Sequence, residues 1–178
     1  MKRGILGAVL LASCWTGLNH DVRYVLGCLR TANRGGFSAS ETFVHRPLTY
    51  RWLLHGLDSL TTGPLVLREA LLRLLVLLVI AATACWLRAG LRRHLPEAGP
   101  VALAAGLALV FAPAWDLLQP EWVAAVAATA AVAATLWFRA LWTAALTGGL
   151  LVAVTVLVKY TTASTALIAV AVVAACRS

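Results

Sequence analysis

Two short stretches bring together side chains able to move protons and hold anions. In Asn19-His20-Asp21 a carboxylate stands beside an imidazole where an apolar run ends, a suitable place for chemistry at a membrane boundary. The same residues suit the start of a helix, because Asn and Asp are preferred N-caps. In Val44-His45-Arg46-Pro47-Leu48-Thr49-Tyr50 a second imidazole adjoins a guanidinium, or the stretch is simply a turn leading into a helix. Glu41, in a Ser-rich stretch between them, is a third candidate spot or plain loop polarity. Farther along, Asp116 and Glu121 flank a Gln119-Pro120 turn, and Lys159 follows an apolar run. Arg23, Arg30, Arg34, Arg46 and Arg51 all fall within residues 19–64. Guanidinium groups hold phosphate oxygens in bidentate fashion, so this excess suits an anion such as the phosphate of a lipid. Solvation of helix faces and contact with lipid headgroups is the other account, and it covers Arg23, Arg30, Arg34 and Arg51.

The elements that position these groups follow from composition. Of the 178 residues, 61% are hydrophobic and 12% charged, with a mean hydropathy of +0.86. Soluble domains carry about 25% charged residues, so this chain has too little polar surface to cover its apolar residues, and it reads as a membrane protein. The net charge of +8 could suggest nucleic acid, but a phosphate-backbone stripe needs a water-exposed face that most of the chain lacks. No nucleic-acid partner is expected; a lipid bilayer is.

Six apolar runs approach the length of a spanning helix: 4–18, 71–87, 101–118, 121–138, 141–158 and 162–176. The fold expected is all-α, a polytopic membrane helix bundle forming a single membrane domain over 1–178. Basic residues in short loops stay on the cytoplasmic side. Lys2 and Arg3 therefore put the N-terminus inside, and Arg88, Arg92, Arg93 and His94, then Arg139, then Arg177 return to that side in register. This leaves 19–64 as a long outer loop. Val22, Val25, Leu26 and Leu29 recur at i, i+3, i+4, i+7, the mark of an amphipathic helix, and it ends at Gly35-Gly36. A second such helix begins at Pro47, with Tyr50, Leu53, Leu54, Leu57 and Leu60 as its apolar stripe and Tyr50 and Trp52 as headgroup-level anchors. Both are expected to lie in the interface. Arg68 reaches outward from the start of the second run, and Arg73 is deep enough to need a partner.

Cys14, Cys28, Cys85 and Cys176 show no CxxC pair and no Cys/His ligand spacing, so no metal site is indicated. Leu11-Ala12-Ser13-Cys14 after a basic start resembles a lipoprotein signal, with Trp15 standing where a small residue is usual. In either case the residues after Leu18 lie outside.

The order of these features carries a resemblance. An Asp just beyond the first run, a long loop with two surface helices, and His45-Arg46-Pro47-Leu48 before the second run resemble the membrane-embedded C-type glycosyltransferases that use polyprenyl-phosphate sugars, such as protein O-mannosyltransferases and lipid A aminoarabinose transferases. Their loop segment typically reads as an acid or His, a variable or basic residue, then Pro-Pro-Leu; here one proline is absent. Leu157-Val158-Lys159-Tyr160-Thr161 resembles a helix end of the same family. The resemblance implies that Asp21 is the general base on an acceptor hydroxyl, that Arg46 meets the phosphate of a polyprenyl-phosphate-linked sugar, and that His45 orients the base or touches the sugar. It makes Glu121 a second carboxylate near the acceptor, where a helix N-terminal acid is the alternative. It makes Lys159 a phosphate contact, where snorkelling to the interface is the alternative. No cofactor is implied, and the acceptor is not specified. Family members continue through further spans, so the chain is expected to be a fragment or shortened form.

The rival is a non-enzymatic membrane scaffold or a piece of a transporter. Transport favours ionisable residues deep in several spans, and only Arg73 is a candidate. A serine hydrolase is disfavoured because no Gly-x-Ser-x-Gly occurs.

Overall fold

The structure, a computed structural model, describes residues 18–38, 41, 46–61, 63–111, 117–159, 161 and 163–175. The first apolar run apart from Leu18, together with Cys14, His45, Asp116 and Cys176, lies outside them. The described residues form helices and no strands: α1 (His20–Arg34), α2 (Leu48–Ser59), α3 (Leu65–Leu91), α4 (Ala98–Phe111), α5 (Pro120–Trp137), α6 (Leu141–Val158) and α7 (Ala163–Ala175). Three of them, α3, α5 and α6, are long and apolar enough to cross a membrane. With 27 residues, α3 is about 40 Å long, enough to span a hydrocarbon layer of about 30 Å with a tilt. The third and sixth apolar runs are shorter as helices, with 14 residues in α4 and 13 in α7.

The chain divides into two compact units. The first contains α1, α2, α3 as far as Leu78, and the turn 117–119. Asn19 caps α1 by accepting the Asp21 N–H at 2.8 Å. At the other end the Gly35 N–H reaches Thr31 O, and Gly36 adopts φ 82°, a left-handed turn that glycine takes without a Cβ clash. Val22, Val25, Leu26 and Leu29 are the buried residues of α1, the same four that the sequence period singles out. In α2 the register differs from the expected stripe. Tyr50, Leu54 and Asp58 face inward, while Leu53 and Leu60 are exposed. Tyr50 is therefore not a headgroup anchor: at 1% exposure, its hydroxyl donates to Leu118 O at 2.7 Å. Leu118 is the one described non-glycine residue with positive φ, 69°, and burial plus the Tyr50 bond hold it there.

The second unit contains α3 from Val79 onward, α4, α5, α6 and α7. Its centre is α5, whose Ala124, Ala131, Ala133 and Ala134 are fully buried. Small side chains let backbones approach closely, which replaces the hydrophobic drive that lipid does not supply. Accordingly, a Cβ on Gly148 of α6 would meet Thr135 Oγ1 at 3.0 Å, and one on Gly90 of α3 would meet Leu136 Cβ at 2.8 Å. Two hydroxyls in this packing turn back on their own helices, Thr135 to Ala131 O and Thr155 to Leu151 O, so neither is left unsatisfied. Trp122 donates its indole N–H to Leu109 O, joining α5 to α4. Outward, α6 presents Leu141, Trp142, Leu146 and Leu150, all more than half exposed, a surface suited to lipid rather than water.

Candidate functional site: an acid-arginine cluster at the start of α1

Asp21 enters the first turn of α1 with its backbone N–H already satisfied by Asn19, so its carboxylate is not the cap. Arg46 Nη2 donates to Asp21 Oδ2 at 3.3 Å, which joins the two stretches singled out in the sequence across 25 positions. His20 Nε2 lies 3.3 Å from the other carboxylate oxygen, on the solvent side. The carboxylate is 43% exposed and the Arg46 side chain 25%, so both can meet a ligand from solution or from the membrane surface. A carboxylate can take a proton there and a guanidinium can hold an anion beside it. His45 lies outside the described residues.

Glu121 and Lys159 belong to the second unit, where they form an ion pair. Pro120 opens α5 and puts Glu121 in its first turn, where the helix dipole favours an anion. Lys159 reaches it from the end of α6. Both partners stay accessible, at 48% and 31%.

Two of the arginines assigned to solvation and lipid contact, Arg23 and Arg30, have closer work. Arg30 grips Asp58 in bidentate fashion, with Nε on Oδ2 at 2.9 Å, and Arg68 adds Nη2 on the same oxygen at 2.7 Å. Asp58, whose side chain is 8% exposed, therefore ties α1 and α3 to α2. Two turns earlier on α1, Arg23 forks onto Glu69 of α3 at 3.0 and 2.8 Å. Hydrogen bonds to these carboxylates raise Arg23 and Arg30 above the usual guanidinium pKa. The Cys28 hydrogen bond raises the Tyr24 hydroxyl, and hydrogen bonds from Ser38 hold Glu41 below the usual carboxylate range. Arg68 thus turns to Asp58 rather than outward to lipid. Arg73 is deep, at 1% exposure. Asp58 was missed in the sequence, although it stands at i+8 and i+4 from Tyr50 and Leu54, in line with the buried face.

Among the described residues no three of His, Cys, Asp and Glu gather as a metal site would require. No protein-family model, curated protein or solved structure matches the chain.

Proposed function

We propose that the chain is a six-span helical protein of a bacterial cell membrane, N-terminus cytoplasmic, in which α1 and α2 lie in the outer interface. In this reading it is the membrane portion of an inverting C-type glycosyltransferase that moves a sugar from a polyprenyl-phosphate carrier to an acceptor hydroxyl on the outer face. The observation that supports it is the meeting of Asp21 and Arg46, with Asn19 relieving Asp21 of capping. Asp21 takes the hydroxyl proton as the acceptor oxygen attacks the anomeric carbon. The bond from that carbon to the phosphate oxygen breaks with inversion, and the phosphate leaves with the electron pair. Arg46 turns its remaining donors to the departing charge. The resemblance also gives His45 to orienting the base or touching the sugar.

A non-enzymatic scaffold or transporter fragment is the second reading. It is favoured by the way Asp21 with Arg46 and Glu121 with Lys159 satisfy one another without a ligand. Sugar transfer from a polyprenyl-phosphate donor into membranes carrying the chain separates the two. Asp21→Asn keeps the size of the side chain but removes the base, and the catalytic reading expects transfer to fall about 10²–10⁴-fold. Undiminished transfer in that variant leaves the scaffold as the better reading.

A further inference from the structure

At one end of the second unit, the turn between α3 and α4 and the turn between α5 and α6 come together through Arg93. Its guanidinium donates to Trp137 O, a carbonyl left open at the end of α5, and its carbon stands 4.4 Å above the Trp137 ring. Next to it, Trp86 and Phe138 meet edge to face at 6.4 Å. Arg88, Arg92, Arg93 and Arg139 are all exposed here, and Glu97 is the only described acid at this end. With Arg88, Arg92 and Arg93 against the one described acid, this end carries an excess of positive charge. Beyond the charged rim the surface turns apolar within a turn of helix, with Val101 and Leu103 of α4 about half exposed.

We infer that this end of the second unit is a docking surface for anionic phospholipid, with arginines on the phosphates and α4 against the acyl chains. The order of chemistry along the surface favours an amphiphile. Guanidiniums match phosphate oxygens in a planar, bidentate way, and indole rings sit well at the level of headgroups. A free anion would use the charged rim and leave the apolar wall uncovered, and a nucleic acid would need a polar face of greater extent. A lipid bearing two phosphates fits the several guanidiniums better than one bearing a single phosphate. The inference does not depend on the transferase reading, since none of Asp21, Arg46, Glu121 or Lys159 takes part.

The test uses the purified full chain in nanodiscs or mild detergent, with cardiolipin as the probe and phosphatidylcholine as the reference lipid, and lipid retention read by native mass spectrometry. Cardiolipin is expected to bind at least tenfold tighter than phosphatidylcholine. Each guanidinium near a lipid surface is worth about fivefold in affinity, so Arg88→Gln with Arg92→Gln should weaken cardiolipin by about 10- to 30-fold. Arg93 is kept because it holds Trp137. Glu97→Gln removes the opposing charge and should tighten cardiolipin about fivefold, which keeps the test informative if the arginine variant folds poorly. Millimolar inorganic phosphate should not displace the lipid. Equal affinity for the two lipids, unchanged binding in both variants, or displacement by inorganic phosphate would overturn the inference.

Discussion

Asn19 Oδ1 accepts the Asp21 N–H at 2.8 Å, so the residue that caps α1 and the residue that offers a carboxylate at its start are different ones. That division separates stability from chemistry. Asn19→Ala should cost about 1 kcal/mol of stability, the usual worth of an N-cap, while Asp21→Asn should leave stability within about 0.5 kcal/mol. Thermal unfolding of the two variants in detergent checks this. A large loss in Asp21→Asn with none in Asn19→Ala would reverse the roles.

Asp58 is the anchor of the first unit, because it receives Arg30 from α1 and Arg68 from α3. Asp58→Ala leaves two guanidiniums facing a site with no carboxylate. Breaking a buried pair by removing one partner costs about 3–5 kcal/mol. Glu69→Gln, by contrast, weakens a pair in which Arg23 is half exposed, and exposed pairs contribute about 0–1 kcal/mol. Equal losses in the two variants would mean that burial does not set the worth of these pairs.

Two glycines test the close packing of the second unit. A Cβ on Gly90 would meet Leu136 Cβ at 2.8 Å and two backbone atoms of α5 at 3.3 Å, so Gly90→Ala should destabilise by about 1–3 kcal/mol. On Gly149 a Cβ meets nothing within 4 Å, so Gly149→Ala should be neutral or stabilising by about 1 kcal/mol, the helix-propensity gain. If Gly90→Ala is as stable as Gly149→Ala, α3 does not approach α5 this closely.

How far the sequence speaks for the structure depends on the range of the interaction. The buried face of α1 is legible because Val22, Val25, Leu26 and Leu29 repeat within one helix. The end of α1 at Gly35-Gly36 and the helical start at Pro120 are equally local. Asp58 is not legible by hydrophobic counting, since a carboxylate on the apolar stripe scores as an interruption until Arg30 and Arg68 are seen to converge on it. Tyr50 misleads for a related reason. Its partner is a backbone carbonyl at Leu118, 68 positions away, and no local pattern announces that bond. Asp21 and Arg46 were singled out separately as chemistry-bearing residues, but their contact across 25 positions is a product of the fold.

The orientation rests on α3, which is long and apolar enough to cross a membrane and carries Arg88 in its last turn. If it crosses, exposed residues before Leu65 and after Leu91 stand on opposite sides. Asn33, exposed on α1, and Glu97, exposed between α3 and α4, are suitable reporters, whereas Ala98 is buried and would resist any reagent on either side. In a background without native cysteines, Asn33→Cys should react with a membrane-impermeant maleimide in intact cells, and Glu97→Cys only after permeabilisation. The charge pattern sets this direction, because the arginines after α3 cluster in a short loop where retention on the cytoplasmic side is strongest. Of the arginines before it, Arg23 and Arg30 are drawn into pairs with Glu69 and Asp58 and Arg46 into one with Asp21, so these three count less toward topology. Labelling of both variants in intact cells would show that α3 does not cross; labelling of Glu97→Cys alone would invert the topology and remove Asp21 and Arg46 from the outer face.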